Sequence, residues 1–365
     1  MVWFSRLYLF LFLFYSPFYL LSSLPTTSPT SPFCHPDDTS ALLQFKNSLS
    51  ISKLYCGDAK WYRLLQVDGV TCDDITEHMI GLNLTAAGLN GIIQSNGSLL
   101  RLAHLKSLVL SQNNFNCSQI SSEFVAPEIS YLSKLHTIDL SWNDLRLEAS
   151  TLKRIVENTT NLTELSLFEL YLSSIALISL MNLSSSLTSL DLSYSRLQGK
   201  FPEGMFRRPN LQVLNLNGNT NLSISFPKYN WSSPLKQLSL SSTNIPIDLP
   251  HLVKCFQNLN ALFLRNFHFT RLNDLLPLSN LTKLTHLELS FNNFSGQIPW
   301  NSLNLERLIF LGLSNNTFVG HLPEICTNNS TKLCFSSNSS NEQLEVSLPL
   351  YLERLYLHDN LHDNN

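Results

Sequence analysis

The sequence predicts an α/β solenoid: a superhelix of stacked coils with one parallel sheet on its concave side and a small helical cap at its N-terminal end. Three observations carry this prediction. Leu-x-Leu pairs recur at a near-constant spacing through most of the 365 residues. An Asn follows many of these pairs at a fixed distance, and the stretch ahead of the first pair carries a helix-start signal in place of the repeat.

The second Leu of each pair falls at 84, 110, 140, 167, 192, 216, 240, 264, 289, 313 and 357, in segments such as "LKSLVLSQNNF", "LTSLDLSYSRL" and "LTHLELSFNNF". The steps are 26, 30, 27, 25, 24, 24, 24, 25, 24 and 44. A period near 24 with this pattern is a leucine-rich repeat, one short strand plus a returning segment per coil. Strand side chains alternate faces, so both leucines of a pair point inward and the residue between them points onto the concave sheet. One coil cannot bury its leucines alone; stacked coils cover them on both sides, and each well-buried Leu gains roughly 1.5–3 kcal/mol.

The Asn column comprises Asn113, Asn143, Asn219, Asn292, Asn316 and Asn360, where an amide can satisfy backbone groups of its own and the next coil. Ala87, Leu170, Ser195, Thr243 and Phe267 replace it elsewhere. Ser and Thr keep part of the hydrogen bonding, whereas Leu and Phe cannot, which predicts local irregularity in the coils of Leu167 and Leu264. Glycines in the tails "LNGII", "LQGKFP" and "FSGQIP" mark backbone positions that need positive φ.

Ahead of the repeats, "DDTSALLQFKNSL" places Asp38, Thr39 and Ser40 before an apolar face of Leu42, Leu43, Phe45 and Leu49, which predicts a helix. Little regular helix is expected outside this cap. The start of the chain has one basic residue, Arg6, an apolar run from Leu7 to Leu21 and then Ser22 and Ser23, the pattern of a secretory signal peptide. An uncleaved signal anchor is the alternative, although a span usually needs ~20 apolar residues. No later stretch resembles a membrane span. The organisation read from the chain is a signal peptide (1–23), a linker rich in Ser, Thr and Pro (24–33), a cap (34–76), repeats (77–324), a polar insert (325–348) and a partial terminal repeat (349–365).

The secretory route agrees with fourteen Asn-x-Ser/Thr glycosylation sequons: Asn83, Asn96, Asn116, Asn158, Asn161, Asn182, Asn221, Asn230, Asn280, Asn293, Asn315, Asn328, Asn329 and Asn338. Cys326 and Cys334 flank a polar stretch with no repeat pattern and predict a local disulfide in preference to a metal site, since no His accompanies them at ligand spacing. Cys117 and Cys255 stand alone in repeat segments, as buried thiols do.

The full repeat, Leu-x-x-Leu-x-Leu-x-x-Asn-x-Leu-x-Gly-x-Ile-Pro, resembles the plant-specific leucine-rich repeat, which implies a second short strand at the Gly-x-Ile-Pro segment. "CHPDDTSALLQFKNSLSI" and "VDGVTCDDITEHMIGLNL" resemble the N-terminal cap of plant receptor-like proteins and receptor kinases. "MNLSSSLTSLDLSYSRLQGKFPEGMFRRPNLQVLNLNGNTNLS" is similar to the receptor-like proteins of the disease-resistance type, which lack a kinase. The family cap reads Cys-Cys-x-Trp-x-Gly-Val-x-Cys, whereas this chain has "LLQVDGVTC", with Leu64 and Leu65 at the paired cysteines and Val67 at the Trp. The resemblance therefore implies that Cys34 and Cys72 have lost their usual partners, with Cys56 able to pair with only one of them. Family members continue through more repeats, a transmembrane helix and a cytoplasmic tail. This chain stops inside a coil, so it is expected to be a fragment or truncated copy, located at the extracellular side of the plasma membrane if full-length and secreted as it stands.

Charged residues make up 14% of the chain and the formal net charge is −3, which gives no reason to propose nucleic acid as a partner. No phosphate loop, His-Glu-x-x-His or Gly-x-Ser-x-Gly motif is present, so neither an enzyme nor a cofactor is expected. His358 and His362 in "HDNLHD" lie at a repeat end with no third ligand, which argues against a metal. The outward strand positions instead form a recognition surface. Its candidate ligand-binding residues are Asp139, Trp142, Asp191, Tyr194, Phe263, Glu288 and Phe291, aromatics and acids among small polar residues, as suits a protein or peptide ligand. Resemblance to the receptor-like proteins implies the N-terminal part of a defence receptor ectodomain that signals through a co-receptor or adaptor kinase. The alternative resemblance is to secreted polygalacturonase inhibitors, which bind a fungal cell-wall-degrading enzyme.

Overall fold

The computed structural model describes residues 34–51, 69–91, 98–115, 119–120, 133–226, 231–298, 305–319 and 354–356. All lie in one compact unit, Phe33–Asn365. Its centre is a sheet of twelve strands, the first of which, Val70–Cys72, pairs antiparallel with Met79–Asn83. From there every pairing is parallel and follows chain order: Ser107–Val109, Thr137–Asp139, Glu164–Ser166, Ser189–Asp191, Val213–Asn215, Gln237–Ser239, Ala261–Phe263, His286–Glu288, Phe310–Gly312 and Arg354–Tyr356. Each of these holds one Leu-x-Leu or Ile-x-Leu centre. The register keeps Leu190 opposite Leu165 and Leu214, and Leu262 opposite Leu238 and Leu287, so each inward leucine is flanked by its equivalents one coil away. These leucines are buried throughout, Leu190, Leu214, Leu238 and Leu262 completely.

The asparagine column closes the coils against each other. Asn219 Nδ2 donates to Leu216 O of its own coil and Leu192 O of the preceding one, both at 2.9 Å, while its Oδ1 accepts the amide of Leu197 at 2.9 Å. Asn113, Asn143, Asn292 and Asn316 repeat the pattern. The bridged neighbour is thus the preceding coil, not the following one that the sequence suggested, because the amide reaches back across the coil just completed. Asn360 lies outside the described residues.

Irregularity in the coils of Leu167 and Leu264 does not touch the concave sheet, whose register continues through both. At Leu170 the chain closes by main-chain bonds, Leu170 N to Leu167 O and Tyr171 N to Leu145 O, and the leucine joins the core. At Phe267, Asn292 of the next coil supplies the missing acceptor to the amides of Phe267 and Phe269. What breaks is the second ladder on the returning side. It exists as separate pairs, Gln119–Ile120 with Arg146–Leu147, Gln198–Lys200 with Asn221–Ser223, and Ser295–Gly296 with Thr317–Phe318. The coils of Leu240 and Leu264 carry no second strand. Gly199 and Gly296, in the tails marked by the repeat, have φ of 91° and 92°.

The cap departs from expectation in three respects. Its helix is Pro36–Asn47, starting with Pro at the first turn and His35 as N-cap, not at Asp38 to Ser40. Asp38 is instead buried within the helix, where its carboxylate accepts the Met79 amide at 2.7 Å and meets the His78 ring at 3.1 Å. Leu43 faces outward while Ala41, Leu42 and Phe45 pack inward, the spacing a helix imposes. Cys34 and Cys72, the two cysteines whose usual partners are missing, are bonded to each other. This cross-link spans 38 residues and removes denatured-chain freedom equivalent to roughly 3–4 kcal/mol.

Among the described residues two α-helices also occur outside the cap, Ala149–Asn158 and Leu249–Cys255. Both sit on the returning side and bury residues at helical spacing, Leu152, Ile155 and Val156 in one and Leu249, Leu252 and Val253 in the other. Cys255 is buried and unbridged, and burial pushes its thiol pKa up. Cys117, Cys326 and Cys334 lie outside the described residues, as do the first 33 positions. Among the described residues no helix is long and apolar enough to cross a membrane.

Replacing Asn219 with Leu strands two carbonyls and one amide in the core, at about 1–3 kcal/mol for each group left unsatisfied. The expected outcome is a clear fall in the urea midpoint of Asn219→Leu, with Asn210→Leu on the exposed surface unchanged.

Candidate functional site

Two positions per coil build the concave face. One is the residue between the paired leucines; the other is the residue just before the Asn column. At the second position the backbone is left-handed in coil after coil: φ is 60° at Gln112, 57° at Trp142, 60° at Glu169, 53° at Tyr194, 54° at Ser242 and 59° at Phe291. The chain must swing inward here to carry the next residue into the core. The amides of Gln112, Trp142, Glu169, Tyr194 and Phe291 donate to carbonyls of the following coil, which holds the turn in place. A bulky non-glycine residue at such φ costs of order 1–3 kcal/mol and persists only where its surroundings over-determine it. Large side chains are therefore presented from a fixed backbone.

The candidate residues fall into two groups on either side of the coils of Leu216 and Leu240. Asp139, Trp142, Asp191 and Tyr194 form the first; Phe263, Glu288 and Phe291 form the second. The carboxylates are partly committed to the face itself. Asp139 Oδ1 accepts the Ser141 amide at 2.9 Å, and Glu288 Oε1 accepts the Ser290 amide at 2.7 Å. Asp191 accepts from the Ser193 amide and hydroxyl at 2.9 and 2.6 Å and from Asn215 Nδ2 at 3.0 Å. Burial still pushes the Asp191 pKa up, with Asp139 adding repulsion against those hydrogen bonds. Glycines make room for these side chains: a Cβ on Gly218 would stand 2.4 Å from the Tyr194 ring, and one on Gly312 would stand 2.5 Å from both Glu288 oxygens.

Residues not picked out from the sequence tie each group together internally. Phe168 packs edge-on between Trp142 and Tyr194, with ring centroids 5.1 and 5.7 Å away. The Arg265 guanidinium lies 3.9 Å over the Phe291 ring. Phe168 and Arg265 stand where other coils have Ser111, Ser141, Ser193, Ser241, Ser290 and Ser314, so a large residue at a small-residue position was the available signal.

Beside the first group, where the coils of Leu140, Leu167 and Leu192 turn inward, lies a cavity of about 440 Å³. Trp142, Glu169 and Tyr194 line it from the left-handed position, with Asp144, Tyr171 and Arg196 behind them. Glu169 Oε2 is covered and has no hydrogen-bond partner among the described residues. Burial pushes the Glu169 pKa up, Asp144 adds to the rise, and Arg196 opposes it. Arg196 itself stacks on Tyr171, 4.2 Å from the ring centroid. A second cavity, about 530 Å³, opens on the returning side between Leu249–Cys255 and Leu272–Asn280, away from the strand face.

Of the sequons among the described residues, Asn83, Asn161, Asn182, Asn221, Asn280 and Asn293 are exposed and Asn158 is half-buried. The Nδ2 of Asn315, the atom that would carry sugar, is covered. Asn96, Asn116, Asn230, Asn328, Asn329 and Asn338 lie outside the described residues.

A family model described as Leucine Rich Repeat matches residues 186–207 and 283–305. Receptor-like protein 9DC1 of Solanum pimpinellifolium is 34% identical over 300 residues, covering 71% of this chain and 34% of that protein. Receptor-like protein Cf-9 of the same species is 34% identical over 296 residues, covering 70% of this chain and 33% of its own length. The chain thus spans about a third of the length of the curated relatives it matches. Among solved structures, the ectodomain of the Arabidopsis receptor kinase HAESA, crystallised with an extended IDA peptide hormone, has a TM-score of 0.50 at 24% identity, covering 89% of this chain and 49% of that one. At that identity the likeness is one of fold.

A raised folded-state pKa means that ionised Glu169 works against folding at neutral pH, and that this penalty vanishes as acidification protonates it in the folded chain. Glu169→Gln should therefore raise Tm at pH 7, with the gain shrinking as the pH falls through the carboxylate range; thermal melts of both chains across pH check this.

Proposed function

As a member of the leucine-rich-repeat receptor-like proteins of plants, the chain is, we propose, the ligand-recognising part of an extracellular ectodomain that takes a protein or peptide on its concave face. The observation that carries this reading is the row of large side chains at the left-handed position. Trp142, Glu169, Tyr194 and Phe291 hold strained backbone geometry on a twelve-strand sheet, although small residues such as Gly218 and Ser242 fill the same position in other coils. Strain retained beneath large aromatic and acidic groups, Phe291 exposed and Trp142, Glu169 and Tyr194 half-buried, points to selection for presentation over stability. Aromatic anchors on a rigid support bind with little ordering cost.

The wider role follows from the family. The ectodomain enters the secretory pathway, carries N-glycans at its exposed sequons, and passes its signal to a co-receptor or adaptor kinase in defence. The exposed Asn161, Asn182 and Asn280 leave the strand face clear, because they precede their strands on the returning side of each coil.

Random peptides displayed on phage and selected against the secreted chain test the recognition face. Selected peptides should bind Trp142→Ala, Asp191→Ala and Phe291→Ala variants at least tenfold more weakly, about 1.4 kcal/mol each. Ile178→Ala, on the opposite surface, should bind them as before. Peptides that tolerate all three concave variants and lose affinity only at Ile178 would contradict the reading.

A further inference from the structure

The cavity beside Trp142 and Tyr194 has a chemistry that selects its occupant, and the inference rests on the concave-face reading above. Its floor is a carboxylate whose Oε2 is covered and has no hydrogen-bond partner among the described residues, Glu169, with Asp144 as a second acid beside it. Its walls include Trp142 and Tyr194, fixed at φ of 57° and 53°. The adjoining sheet adds Asp139, Glu164 and Asp191 from the same three coils. The neighbouring cation, Arg196, is stacked on Tyr171.

An anionic ligand would meet the Glu169 and Asp144 carboxylates in the cavity, and a neutral apolar one would bury Glu169 without a partner. A long cationic side chain suits the aromatic and acidic lining, Arg196 being held against Tyr171: its methylene stem packs on the aromatic rings, its head lies within reach of their faces, and Glu169 and Asp144 accept its N–H groups. The volume falls within the roughly 300–1,000 Å³ of pockets that enclose small ligands. We propose that this cavity is a basic-residue subsite, which takes the Lys or Arg side chain of an extended peptide lying along the concave sheet.

A bound cation favours ionised Glu169, the form that burial disfavours in the free protein, so acidification should oppose binding. Asp144 and Arg196 are the charged groups that face Glu169 and modulate this dependence.

The test uses the full secreted chain labelled with 5-fluorotryptophan, the Trp142 resonance being assigned from Trp142→Phe. The probes are N-acetyl-Gly-Arg-Gly-amide and its citrulline counterpart, which has nearly the same shape and no charge. The Arg peptide should move the Trp142 signal saturably at pH 7. Its Kd should rise at least tenfold in Glu169→Gln, with the other tryptophan signals unmoved to show an intact fold, and should rise also on acidification. The citrulline peptide should bind at least tenfold more weakly, and Glu157→Gln, on an exposed helix, should behave as the unaltered chain. Equal responses to the two peptides, or an Arg response that survives Glu169→Gln, would overturn the subsite. Phage-selected peptides that lose affinity in Phe291→Ala but ignore Glu169→Gln would remove the subsite and leave concave-face recognition standing; peptides that ignore every concave variant would remove both.

Discussion

The buried carboxamide that five of the described coils carry at the column position, Asn113, Asn143, Asn219, Asn292 and Asn316, is the interaction on which the rest of this molecule depends. Stacked leucines supply the gain in burial, but the turn that sends the chain inward from each strand leaves main-chain carbonyls and amides in the core, where unpaired groups are costly. Asn113, Asn143, Asn219, Asn292 and Asn316 satisfy them with a donor group that bridges two coils and an oxygen that accepts an amide of the preceding coil. Where Ser195 or Thr243 stands instead, the hydroxyl still bonds a carbonyl: Ser195 Oγ reaches Leu167 O of the preceding coil, and Thr243 Oγ1 reaches Leu240 O of its own. The coils that carry Asn or Ser195 at this position are therefore fixed to the preceding coil by side-chain hydrogen bonds as well as by apolar contact.

The recognition face follows from the same turn. Carrying the column residue inward, whether an Asn or Leu170 or Ser195, puts the preceding residue in left-handed backbone, and its side chain is then delivered to the concave edge at an orientation that packing cannot readily relax. Glycine at Gly218 fits this geometry without strain and also clears space for the Tyr194 ring. Trp142, Glu169 and Tyr194 endure the strain, and Glu169 adds a carboxyl that burial disfavours. The face is thus least stable where it is chemically richest.

The repeating part of this design was legible in the sequence because it is periodic: every described strand of the concave sheet beyond the cap lies on its expected Leu-x-Leu or Ile-x-Leu pair, and every described asparagine of the column is in the core. The failures came where one event in space, with no period, decides the outcome. The Cys34–Cys72 bond joins residues brought together by the antiparallel pair at the cap, a contact that no repeat spacing encodes. The helix began at Pro36 because Asp38 was drawn inside to meet Met79 and His78, which lie about forty residues away. In the site, Trp142 and Tyr194 were visible as aromatics in a column. Phe168, Glu169 and Arg196 became significant only once three coils were stacked, since the cavity belongs to no single repeat.

Native-state hydrogen exchange tests the central claim most directly, by comparing the amides of Leu197, Phe267 and Phe294, which donate to asparagine oxygens outside any strand, with the amides of the concave sheet. If the asparagine bridges hold the coils together, these three amides should be protected to the same degree as Leu214 and Leu238 and should lose protection together with them. Exchange at the rate of exposed loop amides, while the sheet stays protected, would show that apolar stacking alone carries the solenoid and would contradict the account.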